Sequence, residues 1–202
     1  MDWGCPMVRK VKLAIFASGT GTNFQALHDA ILQRQLNAEV VRLIVDKSSA
    51  GALNLAKLFG VPATFIKYSD YDTKVDAEQV ILDQLTQDEV DGILLAGYMR
   101  ILTPKLIDAY AGKIVNLHPA LLPQFPGRHS ILDAYEAGVD ETGVTVHFVD
   151  NGIDTGEIIA QQSVPRFSSD TLLDLETRIH HVEHVLYPNT LEKLLNEGVF
   201  LK

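Results

Sequence analysis

The chain has 202 residues, 47% of them hydrophobic and 21% charged, which suits one soluble globular domain rather than a fibrous or disordered chain. Its formal net charge of −9 argues against a broad nucleic-acid surface and leaves room only for a local cationic pocket, so the expected partners are small molecules, with no nucleic acid and no membrane. A single cysteine, Cys5, rules out an intramolecular disulfide and is read as inert; the first ten residues lack a basic start with a long apolar core, no later apolar run reaches spanning length, and the expected location is the cytoplasm.

Val11 to Ala17 is an apolar run of buried-strand length, broken only by Lys12, and it ends in Ser18-Gly19-Thr20-Gly21-Thr22-Asn23. Phe24, Leu27 and Ile31 then recur at helical spacing. A strand, a Gly-rich turn and a helix in that order leave free N–H groups at a positive helix terminus, a ready site for a phosphate. Phe24 stands where the dinucleotide fingerprint needs its third glycine, and the long P-loop pattern is absent, so one phosphate fits better than a pyrophosphate. A bare structural turn would also account for the glycines, though not for the side-chain donors Thr20, Thr22 and Asn23.

Val40 to Val45 reads as a second strand, followed by a helix through Leu53, Ala56 and Phe59 that stops at Gly60. Ala63 to Ile66 is a third strand, and a helix opening at Tyr68 carries Val75, Val80, Ile81, Leu82 and Leu85. Gly92 to Ala96 is a fourth strand. This alternation predicts an α/β fold: an open, mostly parallel twisted sheet with helices on both faces, Rossmann-like. The loop Gly97-Tyr98-Met99-Arg100-Ile101-Leu102 follows, then Thr103-Pro104 as N-cap and first residue of a helix ending before Gly112. An exposed Arg such as Arg100 is by itself usually just solvated.

The run Lys113-Ile114-Val115 leads into Asn116-Leu117-His118-Pro119, and three prolines and a glycine fall within the nine residues after His118. Asn116 and His118, two apart at the exit of a strand, lie on one side of the pleat and can converge on one substrate atom. The stiff loop holds them at the carboxyl end of the sheet, where open α/β folds place their sites. Ser130 to Ala137 then looks helical, Gly143 to Val149 alternates as a strand, and the turn-rich Asp150 to Gly156 joins it to a strand over Glu157 to Gln161. An acidic loop of this kind is often only a solvated turn. From Thr171 onward the chain is helical to about Gly198. There are no repeats or linkers, and the expected organisation is one domain over 1–202 with a soft division near 112.

His180-His181-Val182-Glu183-His184 satisfies the H-x-x-E-H pattern of some zinc proteases, but a third ligand and an open coordination position are missing from the pattern, and no metal is expected. His147, in an alternating strand, reads as a satisfied, half-buried side chain rather than a catalyst, and His129 is open between the two roles.

Taken together, Ser18 to Asn23, Gly97 to Leu102, Asn116 to Pro119 with Leu121-Leu122-Pro123, and Gly143 to Val149 followed by Asp154-Thr155-Gly156 resemble the phosphoribosylglycinamide formyltransferase family over about residues 11 to 195. That resemblance implies formyl transfer from 10-formyltetrahydrofolate, as co-substrate, to the amine of glycinamide ribonucleotide, in de novo purine synthesis. It implies Asn116, His118 and Asp154 as the catalytic trio. Gly21, Thr22 and Asn23 would hold the phosphate and Glu183 the ribose hydroxyls. Arg100, Ile101, Leu102 and Asn116, with Val149, Asp150 and Asp154, would border the folate. The two halves, 11–112 and 113–202, would then be a phosphate-binding half and a catalytic, folate-binding half, in a monomer or a homodimer. Asn116 and a protonated His118 would donate to the developing oxyanion, and Asp154 would favour the imidazolium and help carry the proton away. Met1 to Lys10 has no counterpart in the family, and Gln124 stands where a basic residue is common. Methionyl-tRNA formyltransferase and formyltetrahydrofolate hydrolase share much of the pattern, but each carries an additional domain that this sequence does not supply. A nucleotide-binding module without catalysis would leave Asn116, His118 and Asp154 unrelated, and a zinc hydrolase would carry stoichiometric metal.

Overall fold

The computed structural model describes residues 9–201; what was expected of Cys5 and of residues 1–8 lies outside the described residues. The apolar runs form seven strands: β1 Val11–Ala17, β2 Ala38–Val45, β3 Ala63–Phe65, β4 Gly92–Leu95, β5 Ile114–His118, β6 Glu141–Phe148 and β7 Ile158–Pro165. Between and after them lie α1 Thr22–Gln33, α2 Ala52–Phe59, α3 Lys74–Gln87, α4 Pro104–Ala109, α5 Ser130–Glu136 and α6 Leu172–Asn196. They make one sheet of order β3-β2-β1-β4-β5-β6-β7. The first five strands are mutually parallel, and β5–β6 and β6–β7 are antiparallel.

The alternation of side chains along β1 divides the core. Leu13, Ile15 and Ala17 pack with Phe24, Leu27 and Ile31 of α1 and with Leu175 and Ile179 of α6. Ala14 and Phe16 pack on the other face with Ala77, Ile81 and Leu85 of α3 and Leu106 and Ile107 of α4. Each fully buried Leu, Ile or Phe stabilises the fold by about 1.5–3 kcal/mol, so both faces are strongly specified. Because β2 and β4 lie on opposite sides of β1, the chain reverses its direction of travel there, and a crevice opens above the carboxyl ends of β1 and β4.

Several boundaries differ from the sequence expectation. A 3₁₀ turn occupies Tyr68–Asp70, and α3 begins only at Lys74, because Thr73 and Asp76 form a reciprocal capping box. Thr103 sits at the N-cap of α4 but makes no side-chain cap; its N–H and hydroxyl both donate to the buried carboxylate of Glu78 on α3. Strand β5 runs on through Asn116 and His118, and β7 extends to Pro165. Helix α6 continues through Pro188, and the fully buried Tyr187 beside it donates its hydroxyl to the carbonyls of Leu95 on β4 and Val115 on β5. That hydrogen bond seats α6 on the strands that end at the crevice.

Candidate active site

Strand β5 delivers Asn116 and His118, and its antiparallel register with β6 sets His147 opposite Asn116 and Thr145 opposite His118. All four side chains therefore share one region of the sheet. The buried Thr145 hydroxyl donates to the carbonyl of Ala120 and accepts from the N–H of Leu122, while Gln161 on β7 donates to the carbonyl of Leu122. These bonds pin the proline loop, which contains a cis peptide between Leu122 and Pro123.

His118 is 4% exposed. Its Nε2 lies 2.9 Å from the carbonyl of Phe125, so that nitrogen carries a proton and donates to main chain. The other ring nitrogen, Nδ1, is 3.6 Å from Oδ2 of Asp154. Asp154 comes from the β6–β7 loop, where Oδ2 also accepts from the N–H of Gly127 at 2.8 Å and Oδ1 lies 3.8 Å from Nε2 of His147. Four non-glycine residues among those described have positive φ, and two of them, Phe125 (φ 51) and Asp154 (φ 54), are the ones that contact His118. Holding a side-chain-bearing residue there costs on the order of 1 kcal/mol or more, which the surrounding hydrogen bonds must offset.

Asn116 donates through Nδ2 toward Nε2 of His147 at 3.1 Å, and Nδ1 of His147 donates to the carbonyl of Phe148 at 2.8 Å. His147 is 2% exposed, not half-buried, and burial holds its imidazole below the ordinary histidine range. It is satisfied, as the alternating pattern suggested. Its satisfying partner is the Asn116 amide, a pairing that local sequence does not show and that only the β5–β6 register could have pointed to.

Two cavities meet here. The first, of about 280 Å³, is lined by Asn116, His118, His147 and Asp154 together with Tyr98, Arg100, Ile101, Leu102, Val149 and Asp150. Within this wall Arg100 is not merely solvated: its Nε donates to Oδ2 of Asp46 at 2.8 Å and its guanidinium lies 4.7 Å from the centre of the Tyr68 ring. Asp150 accepts from the Gly152 N–H and the Thr155 hydroxyl, which folds the β6–β7 loop on itself. A Cβ at Gly152 would lie 1.9 Å from the Thr155 hydroxyl oxygen, so a side chain there would push that hydroxyl off its bond to Asp150.

The second cavity, of about 490 Å³, is lined by Gly19 to Asn23, by Arg128 to Leu132, and by Glu176, His180 and Glu183 of α6. Gly21 caps α1 in the left-handed conformation (φ 87), with no side-chain cap, and a Cβ there would lie 2.8 Å from Ala52. The first-turn N–H groups of α1 are thereby left for a ligand. Asn23 does not present its whole amide to that ligand: Nδ2 donates to Oε2 of Glu183 at 2.8 Å, and its buried Oδ1 has no partner. Glu183, 4% exposed, also accepts from Nδ1 of His180 at 2.9 Å, and this bond raises the His180 pKa. His180 and Glu183 are thus paired with each other, and among the described residues no group of three or more His, Cys, Asp or Glu side chains is arranged to hold a metal ion. His129 lines the second cavity.

The cavities share Gly97, Met99, Leu117, Pro119, Arg128 and Ser130. Met99 is held from both sides, its N–H donating to the Ser18 hydroxyl at 2.8 Å and its carbonyl accepting from Arg128. An anion seated on the first turn and an acyl group over β5 can therefore approach each other across one wall, beside Asn116, His118 and Asp154, side chains able to offer donors, an acceptor and a proton carrier.

The formyl transferase family model matches residues 11–191. The chain is 44% identical over 184 residues to phosphoribosylglycinamide formyltransferase of Bacillus subtilis (strain 168), covering 91% of this chain and 94% of that protein. It is 40% identical over 190 residues to the trifunctional purine biosynthetic protein adenosine-3 of Drosophila melanogaster, covering 93% of this chain and 14% of that protein. Among solved structures, glycinamide ribonucleotide transformylase 1 from Geobacillus kaustophilus superimposes with a TM-score of 0.90 at 50% identity, covering 93% of this chain and all of that one. Phosphoribosylglycinamide formyltransferase from Bacillus halodurans does so with a TM-score of 0.90 at 46% identity, covering 93% and 96%.

Proposed function

The chain belongs to the formyl transferase family, and from that premise we propose that it transfers the formyl group of 10-formyltetrahydrofolate to the primary amine of glycinamide ribonucleotide, the activity named for its relatives. The single observation that carries this reading is the meeting of the two cavities beside Asn116, His118 and Asp154. One cavity offers main-chain N–H groups and a buried carboxylate for a sugar phosphate; the other is a mainly apolar slot of the kind a flat heterocycle fills.

In this reading Gly21, Thr22 and Asn23 bind the phosphate, and Glu183 accepts from the ribose hydroxyls. The orphaned Oδ1 of Asn23 is a further acceptor in that wall. Arg100, Ile101 and Leu102, with Val149, Asp150 and Asp154, border the folate. The amine attacks the formyl carbon, and negative charge grows on the formyl oxygen. Asn116 donates an amide N–H to that oxygen, and His118 adds a charge-assisted bond from Nδ1, the ring atom its main-chain bond leaves free. Asp154 balances the imidazolium across 3.6 Å and takes the proton released by the nitrogen as the new amide bond forms. That proton, relayed by water, ends on the folate nitrogen as its bond to the formyl carbon breaks. No metal enters this scheme, and the chain serves as one catalytic unit, expected to work in the cytoplasm.

The test is a formyl-transfer assay with purified protein, glycinamide ribonucleotide and formylated folate. Formation of the formylated ribonucleotide together with tetrahydrofolate is the expected result. Release of formate without ribonucleotide product would replace transfer with hydrolysis and overturn the reading.

A further inference from the structure

His147 is the one ionisable side chain at the floor of the first cavity that the proposed chemistry does not use. It is 2% exposed, and its surroundings fix the form of its ring. The carbonyl of Phe148 can only accept, so Nδ1 carries the proton. With the ring neutral, Nε2 offers a lone pair, and the group 3.1 Å away must then be the NH₂ end of Asn116 rather than its oxygen. The same bond thus decides which way round the Asn116 amide sits. We propose that His147 is the positioning residue of this site: its neutral, Nδ1-protonated ring takes one N–H of Asn116 and thereby aims the other N–H at the oxygen on which charge develops.

The inference rests on the formyl-transfer reading for the identity of that oxygen, but the hydrogen bond itself does not. The charged and titratable groups facing the ring are Asp154, whose Oδ1 is 3.8 Å from Nε2, Asp150 on the same loop, and His118 across the sheet on β5. Asp154 and Asp150 favour charging the ring, whereas burial and His118 oppose it, and burial is the largest influence. Were the ring to take a proton, Nε2 would become a donor. The amide would have to turn its oxygen toward His147, presenting a lone pair where a donor is needed. A neutral ring is therefore part of the arrangement, and the burial of His147 on β6 is what maintains it.

Three measurements test the proposal. Ring ¹⁵N spectra of the intact protein at pH 7 should show His147 neutral and protonated on Nδ1; a charged ring or a proton on Nε2 would overturn it. In kinetics, His147→Leu, which removes the acceptor, should lower kcat by about 10- to 10²-fold, a large part of what losing one aimed donor costs, with KM for both substrates nearly unchanged. His147→Gln, whose amide oxygen can accept the same bond, should recover most of that loss; equal losses in the two variants would overturn the proposal. Finally, His147→Leu added to Asn116→Ala should cost nothing further, whereas losses that multiply would show that His147 does not act through Asn116. Far-ultraviolet circular dichroism and urea midpoints check folding, and the Gln variant and the spectra decide the matter should the Leu variant fail to fold. A protein with the expected His147 tautomer but no formyl transfer would sink the proposed function while leaving the hydrogen bond standing.

Discussion

The cavity above β1 offers a ligand the uncapped N–H groups of α1, the cavity above β5 offers it polar side chains, and the two are built by different means. The cavity above β1 needs a glycine turn, a helix N-terminus and one buried carboxylate, Glu183, reached from α6. The cavity above β5 needs Asn116, His118, His147 and Asp154, spread over 39 residues of chain and brought together by the antiparallel pairing of β5 with β6 and two left-handed loop residues. Main chain recognises an anion by position alone, so substitutions there should change binding. Side chains aimed at a reacting atom act on the transition state, so substitutions there should change turnover.

The sharpest break between the two regions is expected from Asp154→Asn. It keeps the size and the main-chain bond but removes the charge facing His118, and kcat should fall about 10³-fold or more, the scale of a lost proton carrier. Near-normal turnover in steady-state assays would contradict the role given to the carboxylate. Asn116→Ala should lower kcat by about 10² to 10³-fold while calorimetry shows ribonucleotide binding unchanged, since one oxyanion donor is typically of that size. Glu183→Ala should do the opposite. KM for the ribonucleotide should rise about 10-fold, in keeping with lost bonds to a charged group, with kcat little altered. A fall in kcat with constant KM would erase the contrast between the cavities.

The smallest effect concerns pH. Burial lowers the folded-state pKa of His147, His184 and His28, so once pH drops below the ordinary value of about 6.5 the unfolded chain binds protons that the folded chain refuses. Their contribution to stability is complete above about 6.5 and is lost as pH falls toward the lowered values. His180 runs the other way: its bond to Glu183 raises its pKa, so its contribution is complete below about 6.5 and is lost as pH rises through the raised value. Urea midpoints should therefore decline modestly from pH 7 to pH 5, and His147→Gln should flatten the decline. An unchanged slope in that variant would show that the buried ring is not a source of the acid sensitivity.

The same contrast explains what was legible in the residues alone. The β-α alternation and the glycine turn were readable because apolar runs, glycines and helix spacing are local signals, and strands β1 and β4 and helix α1 fall close to where those signals put them. Asn116 and His118 were readable as a pair because strand alternation is local too. Asp154 was reached through family resemblance, since nothing near it in the chain says which histidine it will face. The partner of His147 was missed because it depends on the β5–β6 register, which pairs residues 31 apart. The start of α3 was placed too early because a 3₁₀ turn precedes the Thr73–Asp76 capping box, and the cap of α4 was assigned to a hydroxyl that instead serves Glu78. Each miss traces to a polar side chain whose partner lies on another element.

The partition of six residues between the cavities has a practical outcome for inhibitor chemistry. A compound joining an anionic head to a flat aromatic body through a short tether could occupy both chambers at once, and its second half would bind as an intramolecular event at an effective concentration in about the millimolar range. The linker has only to cross the shared wall at Met99, so stiffness there, more than added contacts at either end, would govern how tightly such a molecule is retained.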